Sequence, residues 1–262
     1  MKRYPKLLYL FFRYSLMRTM MYREDFITWT LVNTGWTVFT IMYYQILFLQ
    51  VDTIAGWTKA QLLLLQGIFF IFESFVWGVF SDNFSQIPQK INQGTLDFDL
   101  VKPINTQFLL SFQRIGIDNF SSAFLGIFTI LYSLKLGNIH PAPTHIVYAI
   151  FAIIIGLVFV YSTYFISMSI SFWFDRFENL HFLYPSLREF WHNPHTFYKG
   201  ALHFLLVVLT PIALITTIPT QLLLNEFPTA LFFRLFLFSI LSLLVSKLFF
   251  DIAIKKYSSA SS

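Results

Sequence analysis

LLLLQGIFFIFESFVWGVF, residues Leu62–Phe80, is nineteen residues long and carries a single charge. As a helix rising about 1.5 Å per residue it would cover about 28 Å, close to the ~30 Å hydrocarbon core of a bilayer. The strands of a membrane β-barrel would instead alternate apolar and polar positions over segments of about ten residues. The rest of the chain repeats the signal. Of its 262 residues 56% are hydrophobic, 34 are Phe and only 12% are charged, against about a quarter charged in soluble domains. The composition therefore predicts an all-α, polytopic membrane protein forming a single transmembrane domain over residues 1–262.

Working outward from Leu62–Phe80, the apolar runs predict six transmembrane helices at about 26–49, 62–80, 107–134, 145–173, 201–224 and 229–250. Gln107, Gln113, Arg114, Asp118 and Asn119 are too polar for lipid, so the buried part of the third begins near Phe120. Pro211 and Pro219 interrupt the fifth, so that 214–224 spans, re-enters, or lies at the surface. Ahead of the first span, residues 2–22 read as an N-terminal interfacial helix. Lys2, Lys6 and Arg13 share one face, and Leu7, Leu8, Phe11 and Phe12 share the other. No short apolar region with a small-residue cleavage site marks a signal peptide.

Basic residues set the expected orientation. With the N-terminus inside, the inner segments hold thirteen Lys and Arg, from Lys2 and Arg3 through Lys90 and Lys102 to Arg188, Lys199 and Lys256. The outer loops hold Lys59 and Lys135. The positive-inside rule then predicts both termini cytoplasmic, which puts the long connections at about 81–106 and 174–200 on the inner side of a membrane expected to be the cytoplasmic (inner or plasma) one. The first of these contains QIPQKINQGTLDFDLVKP, Gln86–Pro103, the most water-compatible stretch in the middle of the chain.

The sequence lacks most catalytic signatures. It has no Cys, which rules out disulfides and Cys-ligated metals. It has no GxxxxGK[ST] phosphate loop, no GxGxxG and no HExxH. His192 and His195 have no third ligand at a fixed spacing, so no metal is expected. Glu73, with Gln66 seven residues before it on the same helix face, is a carboxylate inside a span. The pair reads as a polar spot on a translocation path or dimer seam, or as a packing hydrogen bond. Arg114 with Asp118, and Lys247 with Asp251, are spaced for ion pairs along a helix.

Two stretches carry a resemblance. Gly94-Thr95-Leu96-Asp97 followed by Leu100-Val101-Lys102-Pro103 lies directly between the second and third spans. Leu209-Thr210-Pro211-Ile212-Ala213 and Thr217-Ile218-Pro219 lie in the fifth. Together they resemble the type-2 ABC exporter permeases, in particular a six-span subfamily that pairs with a separate ATPase. The resemblance implies a non-catalytic permease subunit with no cofactor of its own; ATP and Mg belong to a partner ATP-binding subunit. It implies a second permease subunit, with a heterodimer favoured over a homodimer, and no nucleic acid. It also implies a cytoplasmic coupling helix docking on the ATPase through Ile91, Asn92, Gln93, Gly94, Thr95, Leu96 and Asp97, with Leu100, Lys102 and Pro103 leading back to the membrane.

The competing class is a self-contained secondary transporter or channel. That would need ionisable groups along several spans, and the sequence places only Glu73 well inside one. An intramembrane enzyme would need convergent catalytic side chains, and none can be assembled.

Overall fold

A computed structural model describes residues 3–173 and 183–257. Helix α1 (Arg3–Met21) is followed by α2 (Arg23–Leu47). A two-residue hairpin comes next, β1 (Thr53–Ile54) against β2 (Trp57–Thr58), turned by Ala55 and Gly56 at φ 49° and 85°. Both turn residues are left-handed, the geometry that matches strand twist in a tight hairpin.

Thr58 then starts α3 (Lys59–Phe75). Its hydroxyl accepts from Gln61 N, and Gln61 Oε1 accepts from Thr58 N at 2.9 Å, so two otherwise orphaned donors are satisfied. α3 runs on through a π turn at Val76–Ser81, α4 (Asp82–Phe84) and α5 (Gln86–Asn92). After α6 (Asp97–Leu100) and α7 (Thr106–Phe112) come α8 (Phe120–Leu136) and α9 (Pro143–Ser169). The described chain resumes with α10 (Leu183–Arg188) and α11 (Gly200–His203), and ends with α12 (Leu214–Leu223) and α13 (Thr229–Lys256).

Among the described residues four units are long and apolar enough to cross a membrane: Lys59–Asn92, Ile117–Leu136, Pro143–Phe172 and Thr229–Lys256. A fifth, Gly200–Leu209 with Pro211–Leu223, is bent by 79°. The expected spans at 62–80, 107–134, 145–173 and 229–250 thus have counterparts. The third starts where its polar lead-in ends. α2, expected as the first span, is long enough but too polar to be counted with the four. The α3 unit is the centre of the bundle, with 72% of its apolar window buried against 17–39% in the others. α8 and α13 turn Phe124, Phe128, Leu237, Leu244 and Leu248 outward, as helices solvated by lipid do.

Close approach between α3 and α8 depends on glycine. A Cβ on Gly67 would stand 2.8 Å from Gly126 O, and one on Gly126 would stand 2.7 Å from Gly67 O. Each glycine is therefore the space into which the other's backbone fits, the small-residue packing that holds membrane helices together. The π turn is tied down in the same way. Gly78 O accepts from Gly116 N at 2.7 Å. Asn83 holds both polar groups of the Arg114 backbone, donating to its O at 2.7 Å and accepting from its N at 3.0 Å. The break between α7 and α8 is thereby stapled to the π turn of the α3 unit.

Two ends of the bundle can be distinguished. The hairpin end holds Trp57 and the start of α3, and the 137–142 turn, where Asn225 accepts from Ala142 N and donates to His140 O. The opposite end holds Gln86–Pro103, Phe172 and Tyr257.

This geometry corrects two expectations. The expected inner connection 174–200, of which 174–182 lie outside the described residues, does not end on the side where it begins. Trp57 Nε1 donates to Thr196 Oγ1 at 2.9 Å, so the chain passes from Phe172 at one end to Thr196 at the other. Arg188 and Lys199, counted as inner-side residues, leave that group; the basic excess keeps its sign. Since Thr196 and Asn225 both lie at the hairpin end, Gly200–Leu223 enters and leaves from that end. It is a re-entrant pair, not a span. Its bend falls at Thr210, extended at φ −130° and ψ 118° ahead of Pro211, the backbone that a following proline imposes.

The two expected helix-face ion pairs do not form. Arg114 lies in the non-helical stretch before Ile117, and Lys247 and Asp251 remain apart on α13 although their spacing is right.

Replacing Gly126 by Ala should lower the thermal midpoint of the detergent-purified chain, with a loss of roughly 1–3 kcal/mol from forced backbone separation. Gly35→Ala, where nothing lies within 4 Å of the new methyl, should not lower the midpoint, and can raise it by the helix preference of alanine.

Candidate functional site

Gln86–Pro103 folds as a compact helix–turn–helix. α5 ends at Asn92, and Gly94 at φ 68° reverses the chain so that Leu96 N reaches back to Lys90 O at 3.2 Å. A left-handed residue just past a helix end is a common stop, and glycine takes that conformation without strain. Leu96 is fully buried in the same cluster as Phe84, Ile87 and Phe165.

Asp99 locks the turn. Its Oδ2 lies 2.6 Å from Lys90 Nζ and its Oδ1 2.7 Å from Lys102 Nζ, with its side chain 6% exposed. Burial pushes this carboxyl up, but the hydrogen bonds and charges of Lys102 and Lys90 outweigh it and hold it below the usual carboxylate range. One acid thus ties the end of α5 to the chain leaving α6.

The expected docking residues separate into two groups. Asn92, Gln93, Lys102 and Pro103 are exposed, and Gly94, Thr95 and Asp97 are half-buried. Leu96 is core, and Ile91 and Leu100 pack against it. The residues that project most are two that the expected set omits, Phe98 at 70% exposure and Val101 at 79%. Three apart on a helical turn, they share a face. A phenylalanine between two aspartates in a polar segment was the available signal for the first. The three-residue spacing of Asp99 and Lys102 was the signal for the lock.

Gln66 and Glu73 belong to a second arrangement. Both are buried, on the side of α3 that meets the 183–197 segment. Gln66 Nε2 donates to Tyr44 OH and, at 2.9 Å, to His192 O. Glu73 Oε2 accepts from Trp77 Nε1 at 2.9 Å and pairs with Arg188 Nη1 at 3.1 Å. Arg188 also lies over the Phe69 ring. From α12, Thr216 Oγ1 donates to Trp191 O and Thr217 Oγ1 accepts from His195 N. These contacts, with Trp57 on Thr196, hold the crossing chain between α3 and α12. Arg188, Thr216 and Thr217 escaped the sequence reading because 174–200 was taken for an inner loop.

A family model described as ABC-2 family transporter protein matches residues 34–261, which takes in both arrangements. No curated protein and no solved structure matches the chain.

Asp99→Asn should loosen residues 86–103 at neutral pH by about 1–3 kcal/mol, seen as faster hydrogen exchange there and not in α8 or α9. Because the folded carboxyl titrates below its unfolded value, the lock is fully present above the ordinary Asp pKa of about 3.9 and is lost as pH falls through the lower folded value. Exchange in the native segment, corrected for its intrinsic rate, should rise only in that acid range. For the second arrangement, Arg188→Ala leaves a buried carboxylate unpaired and should cost about 3–5 kcal/mol. Glu73→Gln combined with Arg188→Gln should cost less than Arg188→Ala alone, read as thermal midpoints in detergent.

Proposed function

The chain belongs to the ABC-2 transporter family, and from that premise we propose that it is the membrane-spanning permease subunit of an ATP-driven export system. Membership makes it a membrane-embedded permease of an ABC transport system that works with an ATP-binding partner. Export as the direction, the cytoplasmic membrane as the location and the docking surface are our reading. The observation that carries it is the end of the bundle formed by Gln86–Pro103. An apolar pair, Phe98 and Val101, is held outward there on a turn locked by buried Asp99. An outward phenylalanine–valine pair on an otherwise polar, water-facing segment suits a surface that a partner covers.

In this reading α6 is the coupling helix. The partner ATPase holds ATP and Mg and covers Phe98 and Val101, with Asn92, Gln93, Lys102 and Pro103 as a polar rim. Such an apolar centre within a polar border is the usual anatomy of a protein interface. Movement of the partner enters through the locked turn and passes along the α3 unit, which is continuous from Asn92 to the hairpin end. The end with the docking segment, both termini and most basic residues faces the cytoplasm.

Six passages of the bilayer and one re-entrant insertion complete the layout. α2 is the first, presenting Trp29, Leu31, Trp36, Phe39 and Ile46 to lipid. The crossing between Phe172 and Thr196 comes before the re-entrant pair. A second permease subunit, non-identical in our preferred reading, completes the pathway. Gln66 and Glu73 act on that pathway from inside the fold, by setting the position of the crossing chain.

The test is co-purification. Phe98→Ala with Val101→Ala should reduce recovery of the ATP-binding subunit by about ten-fold or more, as loss of interface anchors does, while leaving the permease's own thermal midpoint unchanged. Unchanged recovery together with unchanged transport-coupled ATP hydrolysis would exclude this surface. Leu96→Ala is the contrasting control: it should lower the midpoint itself by roughly 2–5 kcal/mol, because it empties core volume.

A further inference from the structure

A polar groove opens where α1, the start of α2, α4 and the 114–118 connection meet. Its floor is set by Ser15 Oγ, which accepts from Ile115 N at 3.0 Å and ties α1 to that connection. Five charged side chains line it: Arg18 from α1, Asp25 from α2, Asp82 from α4, and Arg114 and Asp118 from the connection. Tyr22, Phe26 and Trp29 edge it on the α2 side.

The charges are close without being paired. Asp82 stands within electrostatic reach of Asp118, Arg18 and Arg114. Yet no ion pair joins any two of the five, although ion pairs form elsewhere among the described residues. Both signs are thus presented to one open space by four separate segments.

Depth identifies the surroundings. Asp82 follows Lys59 by 23 residues along the α3 unit, or roughly 35 Å at helical rise, a little more than one hydrocarbon thickness of about 30 Å. The groove therefore sits at the headgroup level of one leaflet. Trp29 beside it, 55% exposed, is the kind of side chain that favours that level.

We propose that this groove seats the headgroup of a zwitterionic phospholipid of the phosphoethanolamine class. The phosphate is taken by Arg18 and Arg114, and the ammonium by Asp25, Asp82 and Asp118. Guanidinium groups suit phosphate through paired N–H donors. A purely anionic headgroup would have to lie against three carboxylates, and a simple cation against two guanidinium groups. A zwitterion answers both sets. The acyl chains then run along α2 past Phe26 and Trp29. A lipid held there bridges α1 to the bundle, a role separate from partner docking at Phe98.

The full-length chain, purified in detergent, is incubated with equal amounts of phosphatidylethanolamine and phosphatidylglycerol, and retained lipid is counted by native mass spectrometry. Phosphatidylethanolamine should be preferred. Arg18→Gln should reduce its retention by about ten-fold, the factor that corresponds to one lost charge-assisted hydrogen bond. Asp25→Asn should shift the preference toward phosphatidylglycerol. Both positions are exposed, so neither change disturbs the core, and an unchanged thermal midpoint confirms it. Equal retention of the two lipids by the native chain, or indifference of phosphatidylethanolamine retention to both substitutions, would overturn the proposal. Soluble glycerophosphoethanolamine is the remaining arm. Weak competition by it supports a lipid. Displacement of the lipid at equal concentration would make this a site for a soluble ligand and overturn the lipid assignment.

Discussion

Inside hydrocarbon every polar group of the backbone has to find its partner within the protein, and the arrangement of this bundle follows from meeting that demand where the chain is not helical. The segment ending at Thr196 is the severe case. It runs past α3 and α12 with only short helical turns, so its carbonyls and amides are met by side chains instead. Gln66 takes His192 O, Thr216 takes Trp191 O, and Thr217 meets His195 N. The same requirement explains the π turn. A widened turn leaves carbonyls without their usual donors, and Gly116 N and Asn83 fill those places. Because Gly116 belongs to the connection before α8, and Asn83 of α4 also holds the Arg114 backbone there, satisfying these groups also fixes where α8 begins.

Outside the hydrocarbon the controlling element changes from hydrogen bonding to charge. At Gln86–Pro103 water is available, and an unpaired backbone group costs little. What needs holding there is the shape of the segment. A single buried acid between two lysines does so, with Leu96 as the apolar anchor beneath. Phe98 and Val101 are left outside because Leu96 and Asp99 on the same short stretch are already committed inward. The outward face we propose for docking is thus the complement of the lock.

Much of this was legible in the sequence, and the failures have a common cause. Long apolar runs located four crossing units, and the polar lead-in before Phe120 marked the start of the third. Gly94 and Pro103 delimited the compact segment. The position of the chain from Arg188 to Thr196 was not legible. Hydropathy reports how a segment would partition alone, and this one does not partition alone: Arg188 is tolerable at depth only beside Glu73. The same partnership made Glu73 look anomalous, since its counterpart lies 115 residues later. Leu96 was misassigned for a related reason. A leucine in a polar segment marks an anchor or a contact equally well, and only the turn at Gly94 decides which way it points.

The clothing of that crossing segment has a consequence for how the protein is made. Four apolar units can partition into a bilayer one by one as they are synthesised. The stretch carrying Arg188, His192 and His195 cannot; it becomes compatible with hydrocarbon only when Glu73 and Gln66 flank it on one side and Thr216 and Thr217 on the other. The latter pair is synthesised afterwards. Insertion of this protein is therefore not strictly sequential along the chain: one passage has to wait, outside the lipid, for residues that have yet to be made.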